Sequence, residues 1–134
     1  MSGPQTLLLG ALGFVPLGGV TIAYSANTSF VQSINMGAVI PITAGREITA
    51  VRAEIRDVAG STMTLILNRI DAYGSSTPLG ASVASSGTGT NQTLTVASGL
   101  PITTIAGSNY SIVAVRSSGV GTDLNVSTVE IDYD

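Results

Sequence analysis

Few residue types in this chain could do chemistry, and the commonest catalytic ones are missing. There is no histidine and no cysteine. Lysine is absent too, so the positive charges are Arg46, Arg52, Arg56, Arg69 and Arg116. Without histidine the chain lacks the usual general base and metal ligand, and without lysine it lacks the amine of Schiff-base catalysis. Without cysteine it can build neither a disulfide framework nor a thiolate metal site. The segments Gly80-Ala81-Ser82-Val83-Ala84 and Gly10-Ala11-Leu12-Gly13 contain glycine and serine or glycine alone. The first lacks the second glycine of a nucleophile elbow, and the second lacks the helix that follows a phosphate loop. Both are expected to be structural, and no enzyme activity and no cofactor are expected.

The carboxylates remain. Glu130, Asp132 and Asp134 alternate near the C-terminus, so a strand would put them on one face. Such a row could attract a hard cation such as Ca²⁺, which wants several oxygens. It could equally pair across strands with Arg52 and Arg56. No Asp-x-Asp-x-Asp-Gly loop accompanies the row, so pairing is the expectation and no metal is assigned. Asp57 and Asp71 each close an apolar run, where aspartate caps turns. A pair of carboxylates facing into a cleft, as glycosidases need, is not identifiable. Asn-x-Ser/Thr triplets begin at Asn27, Asn91, Asn109 and Asn125. In so Ser/Thr-rich a chain they are read as coincidence.

The elements that would position these groups read as strands and turns. Val51, Ala53 and Ile55 alternate with Arg52, Glu54 and Arg56 within Ile48 to Val58, and Met63, Leu65 and Leu67 continue the pattern over Met63 to Ile70. This period of two marks strands with one face buried. Further strands are expected at Val20 to Tyr24, Phe30 to Ile42, around Leu79 to Val83, at Leu94 to Val96, Tyr110 to Arg116 and from Leu124 to Tyr133. In the last, the apolar phase slips by one at Ser127-Thr128, as a β-bulge would require. Ser85 to Asn91 reads as a flexible loop by composition. With no sustained helical period, the fold class is all-β: an antiparallel β-sandwich of jelly-roll or immunoglobulin-like kind, though lacking the cysteine and tryptophan pattern of true immunoglobulin domains.

Residues 1–19 stand apart from the sandwich at 20–134. Leu7, Leu8, Leu9, Leu12, Phe14, Val15 and Leu17 make this stretch apolar, while Gly and Pro interrupt it. It is too short and broken for a membrane span, and no basic residue precedes Arg46 to make a secretory signal. Two readings stay open: an apolar N-terminal arm that docks on another subunit, or an ordinary first strand. Either way its apolar surface must be buried.

Charged residues make up 10% of the chain and hydrophobic ones 44%, with a formal net charge of −3. Soluble domains usually carry about a quarter charged residues. An undercharged, Ser/Thr/Gly-rich exterior suggests coverage by neighbours. The absence of a cationic cluster argues against nucleic acid as a partner.

From about Ile40 to Tyr133 the chain resembles a β-sandwich module that recurs in bacterial surface proteins and phage virion proteins. The residues that carry it are Pro41-Ile42-Thr43-Ala44-Gly45, Ile48 to Asp57, Met63 to Arg69, Ser108-Asn109-Tyr110 and Val129 to Tyr133. The resemblance implies a non-enzymatic unit for display, capping or oligomerisation, and it assigns no functional residue. The leading expectation is a structural protein that self-assembles as a homo-oligomer, a trimer among the options, or docks on a larger assembly. Examples are a virion decoration, capsid-associated or fibre protein, or an extracellular filament subunit, placing it on a virion or an extracellular surface. The alternative is a carbohydrate-binding or adhesive surface module using loops at one end. Tyr73 would be its exposed platform, with the Ser85 to Asn91 loop as a second contact to a glycan.

Overall fold

The computed structural model describes residues 4–10, 15–16, 22–24, 29–31, 35–116 and 124–134. Every element among them is a strand: β1 (Gln5–Gly10), β2 (Val15–Pro16), β3 (Ile22–Tyr24), β4 (Ser29–Val31), β5 (Asn35–Ile40), β6 (Glu47–Arg56), β7 (Met63–Ile70), β8 (Ser76–Ala81), β9 (Asn91–Thr95), β10 (Ile102–Thr103), β11 (Asn109–Arg116) and β12 (Leu124–Tyr133). They form two antiparallel sheets. The first runs β10-β6-β12-β4-β3, with β1 also paired to β12 and β9 also paired to β6; the second runs β2-β5-β11-β7-β8. This is the all-β, two-sheet antiparallel sandwich expected from the period-two pattern.

The core lies between the sheets and is filled by the alternate residues. The first sheet contributes Val51, Ala53, Ile55, Leu94, Val126, Val129 and Ile131; the second contributes Ala38, Ile40, Met63, Leu65, Leu67, Ile112 and Ala114. Opposition is regular: Ile112 faces Ala38 on one side and Leu67 on the other. Full burial of each large aliphatic side chain contributes roughly 1.5–3 kcal/mol. Among the described residues Tyr110 is a buried aromatic, and its hydroxyl accepts a hydrogen bond from the Ile105 amide at 3.1 Å. That partner keeps the phenol from being an unsatisfied polar group in the core.

The slip at Ser127-Thr128 is a register shift in the β12–β6 ladder between Val126 and Thr128. It lets Val126 and Val129 both turn inward although they are an odd number apart. Elsewhere the boundaries differ from expectation. Phe30 to Ile42 is not one strand: β4 belongs to the first sheet and β5 to the second. Both sheets face the same core, so an apolar phase can run unbroken while the chain changes sheets. The strand around Leu79 ends at Ala81, leaving Val83 exposed. The N-terminal stretch contains a strand of the sandwich: β1 pairs with β12 from Gln5↔Tyr133 to Gly10↔Thr128.

Candidate functional site

Tyr73 sits where an aromatic has least reason to be, 96% exposed on the hairpin between β7 and β8. The hairpin is held from below. Asp71 Oδ1 accepts hydrogen bonds from the amides of Tyr73 and Ser75, each at 2.9 Å. The Gly74 amide donates to the Asp71 carbonyl at 3.0 Å, and Gly74 takes φ +84°. Aspartate at the first turn position and glycine at the left-handed one are the residues this geometry demands. Asp71 therefore caps its turn as expected, and Tyr73 is presented on a fixed backbone.

The hairpin that carries Tyr73 closes one end of the second sheet, whose outer face runs on from it along β7 and β8. Alternation puts Asn109, Ser111, Val113 and Val115 of β11 on that face, beside Ile70, Asn68, Ile66 and Thr64 of β7. Val39 of β5 and Ser76 and Pro78 of β8 flank them. None of these residues is charged. Asn68 and Ser111 face each other across the ladder, each 9% exposed. The surface is thus a mosaic of aliphatic patches, amides and hydroxyls. Such a mosaic matches a neutral polyol, which offers C–H faces for packing and hydroxyls for hydrogen bonds. Sequence reasoning missed Asn68 and Ser111. A polar residue at an otherwise apolar strand was the only available signal.

The Ser85 to Asn91 loop does not join this surface. It lies beside Met63, at the start of β7, whereas Tyr73 follows the end of β7; the Ser85 amide donates to the Met63 carbonyl at 2.8 Å. Eight strand residues separate the two ends, roughly 25 Å. One strand, β8, carries the chain from one loop to the other, so the two must lie at opposite ends. Nor is this loop loose. Asp57, 1% exposed, accepts from the amides of Gly87 at 2.6 Å, Gly89 at 2.8 Å and Thr90 at 3.3 Å. Burial alone would push the Asp57 carboxyl up; hydrogen bonds from Ser85, Gln92, Gly87 and Gly89 outweigh it and bring it down to about 2.

On the outer face of the first sheet three charged side chains engage one another. Arg52 reaches Glu130 at 2.7 Å and Asp132 at 2.8 Å, and Thr6 donates to Asp132 at 2.8 Å. The Arg52 guanidinium, then Thr6, hold the Asp132 carboxyl below the ordinary range; Asp132 in turn raises Arg52. Cross-strand pairing thus engages Glu130 and Asp132 through Arg52, while Arg56 stands opposite Asn125 in the ladder and not beside the row. Among the described residues, no group of three or more potential ligand residues converges on a metal-sized space. Ser82 is likewise structural: its hydroxyl accepts from the Leu65 amide and donates to the Val83 carbonyl.

Of the N-terminal apolar residues, Leu7 and Leu9 are half-buried against the core, while Leu8 points outward and is 61% exposed. Val15 lies in β2; Leu12, Phe14 and Leu17 lie outside the described residues. Asn91 and Asn109 are exposed, Asn27 lies outside the described residues, and Asn125 lies in β12. No helix among the described residues is long and apolar enough to cross a membrane.

No protein-family model matches the chain, and no curated protein matches it. Solved structures do. The xylan-binding module CBM15 superposes with a TM-score of 0.62 at 13% identity, covering 97% of each chain. The CBM36-1 domain of a multidomain xylanase from the hindgut metagenome of Trinervitermes trinervoides gives 0.58 at 13%, covering 95% of this chain and 96% of that one. The structure of infectious bursal disease virus Gx strain gives 0.50 at 12%, covering 98% of this chain and 33% of that one. At these identities the likeness defines a fold: an antiparallel β-sandwich found in carbohydrate-binding modules and in a viral structure.

Proposed function

We propose that this chain is a carbohydrate-binding module of an extracellular surface, which holds a neutral glycan and performs no chemistry on it. The observation that carries the reading is Tyr73, almost wholly exposed on a turn that Asp71 fixes. Pyranose rings stack on aromatic faces through their C–H groups, and a platform already rigid loses little entropy on binding. At the same end of the second sheet, the exposed Asn109 and Ser76 supply an amide and a hydroxyl for sugar hydroxyls. The likeness to a xylan-binding module over nearly the whole chain supports the same reading. The missing histidine, lysine and cysteine favour a binder over an enzyme.

The test is binding to a panel of soluble plant and microbial polysaccharides by affinity electrophoresis or glycan array. The intact chain should be retained by at least one neutral polymer, and Tyr73→Ala should weaken that at least about tenfold. Tyr73→Phe should keep most of it. Retention unchanged in Tyr73→Ala would remove the platform from the reading. The assembly reading, including a virion component, draws on the low charge and on the viral structure, of which this chain spans one third. The comparisons favour the glycan reading over it.

A further inference from the structure

An exposed sheet edge is a template for another strand, and soluble proteins guard such edges with charge, proline, bulges, brevity or a covering segment. Most described edges here carry such a guard. β8 contains Pro78 and a register irregularity opposite Leu67/Asn68. β2 includes Pro16 and spans two residues; β3 spans three and β10 two. Just beyond β9 the chain is paired to the other sheet, Val96 bridging to Ser82 and the Ala97 amide donating to the Ala81 carbonyl at 3.0 Å. β1 has none of these. It is six residues long, Gln-Thr-Leu-Leu-Leu-Gly, with neither charge nor proline, and its ladder to β12 runs without a shift. Among the described residues its other edge has no strand beside it.

We infer that β1 pairs antiparallel with β1 of a second copy, joining two first sheets across a twofold axis. Continuity of the faces requires residues of like orientation to oppose one another. Of the registers that do so, the one centred on Leu8 covers that exposed side chain with its own copy on the outer face and sets Leu7 opposite the partner's Leu9 on the core side. Three observations single out a second copy as the occupant. The strand is uncharged, so two copies approach without like-charge cost. The adjoining carboxylates Glu130 and Asp132 are bridged by Arg52. The pairing also covers Leu8, one of the large apolar side chains left exposed in the monomer. The interface is isologous and closes at two subunits. This inference is independent of glycan binding.

Sedimentation of the intact chain over a wide concentration range, together with two substitutions, tests it. A reversible dimer is expected. Leu8→Lys puts like charges opposite each other across the twofold while leaving Glu130 as a neighbour within the monomer, so it should weaken dimerisation at least tenfold, with a melting temperature equal to the parent's at concentrations where both are monomeric. In a chain with no other cysteine, Leu8→Cys should form disulfide-linked dimers under mild oxidation far faster than Val83→Cys, an exposed control in the loop beyond β8. A monomer at every concentration overturns the inference. So does a dimer indifferent to Leu8→Lys, or cross-linking no faster at Leu8 than at Val83.

Discussion

Asp57 shows how much one side chain can organise. Its carboxylate gathers the amides of Gly87, Gly89 and Thr90 from 30 to 33 residues further along. Its pKa falls from 3.8 to about 2 on folding. A carboxyl lowered by folding contributes its full stabilisation above the unfolded value and loses it as pH drops through the folded one. The contribution is about 2 kcal/mol, complete above pH 3.8 and gone below about pH 2. Asp57→Ala should therefore lose roughly 2 kcal/mol in urea unfolding at neutral pH, and the difference from the parent should shrink as the pH approaches 2. The capping role of Asp71 was legible because its partners lie two and four residues away. Asp57 was expected to cap a turn next to it and instead binds a distant loop: no local pattern announces a bond beyond the next two strands, so Ser85 to Asn91 looked flexible by composition alone. Tyr73 was legible as an exposed ring because it breaks no strand pattern and sits between aspartate and glycine.

At the scale of elements, alternation placed β6, β7 and β12 nearly to the residue, because each has one wet face and one buried face. Where both sheets share a core, alternation says nothing about which sheet a strand joins, and this is why β4 and β5 were merged. It is equally silent on which loops share an end; counting strands between them settles that. Element packing also imposes a demand that composition hides. A Cβ on Gly99 would run into the Leu79 carbonyl, and one on Gly80 into the Ser98 carbonyl. Gly99 also holds φ +82°, as Gly45 holds +83° with open space around it. Gly45→Ala should thus cost only the left-handed strain, roughly 1 kcal/mol. Gly99→Ala should cost at least about 2 kcal/mol more, since backbone must move as well. Thermal denaturation of the two variants side by side measures the difference.

Across the whole molecule the two outer faces have opposite characters. One carries the ion pairs of Arg52 with Glu130 and Asp132; the other, among the described residues, is uncharged. The low overall charge did suggest an exterior meant for contact, but composition could not say where. That knowledge needs the register, which puts Asn68 opposite Ser111 and Arg52 opposite Glu130. The seam between β8 and the chain after β9 has a consequence for how the sandwich comes apart. There Ser82 bridges to Val96, the Ala97 amide donates to the Ala81 carbonyl, and the glycines let the backbones close up. The two sheets are therefore bound like a book at its spine, and their pages separate only when that binding fails. Hydrogen exchange should show it: the amide of Ala97, though at a margin of the fold, should exchange about as slowly as those of β7, and Gly99→Ala should quicken it first.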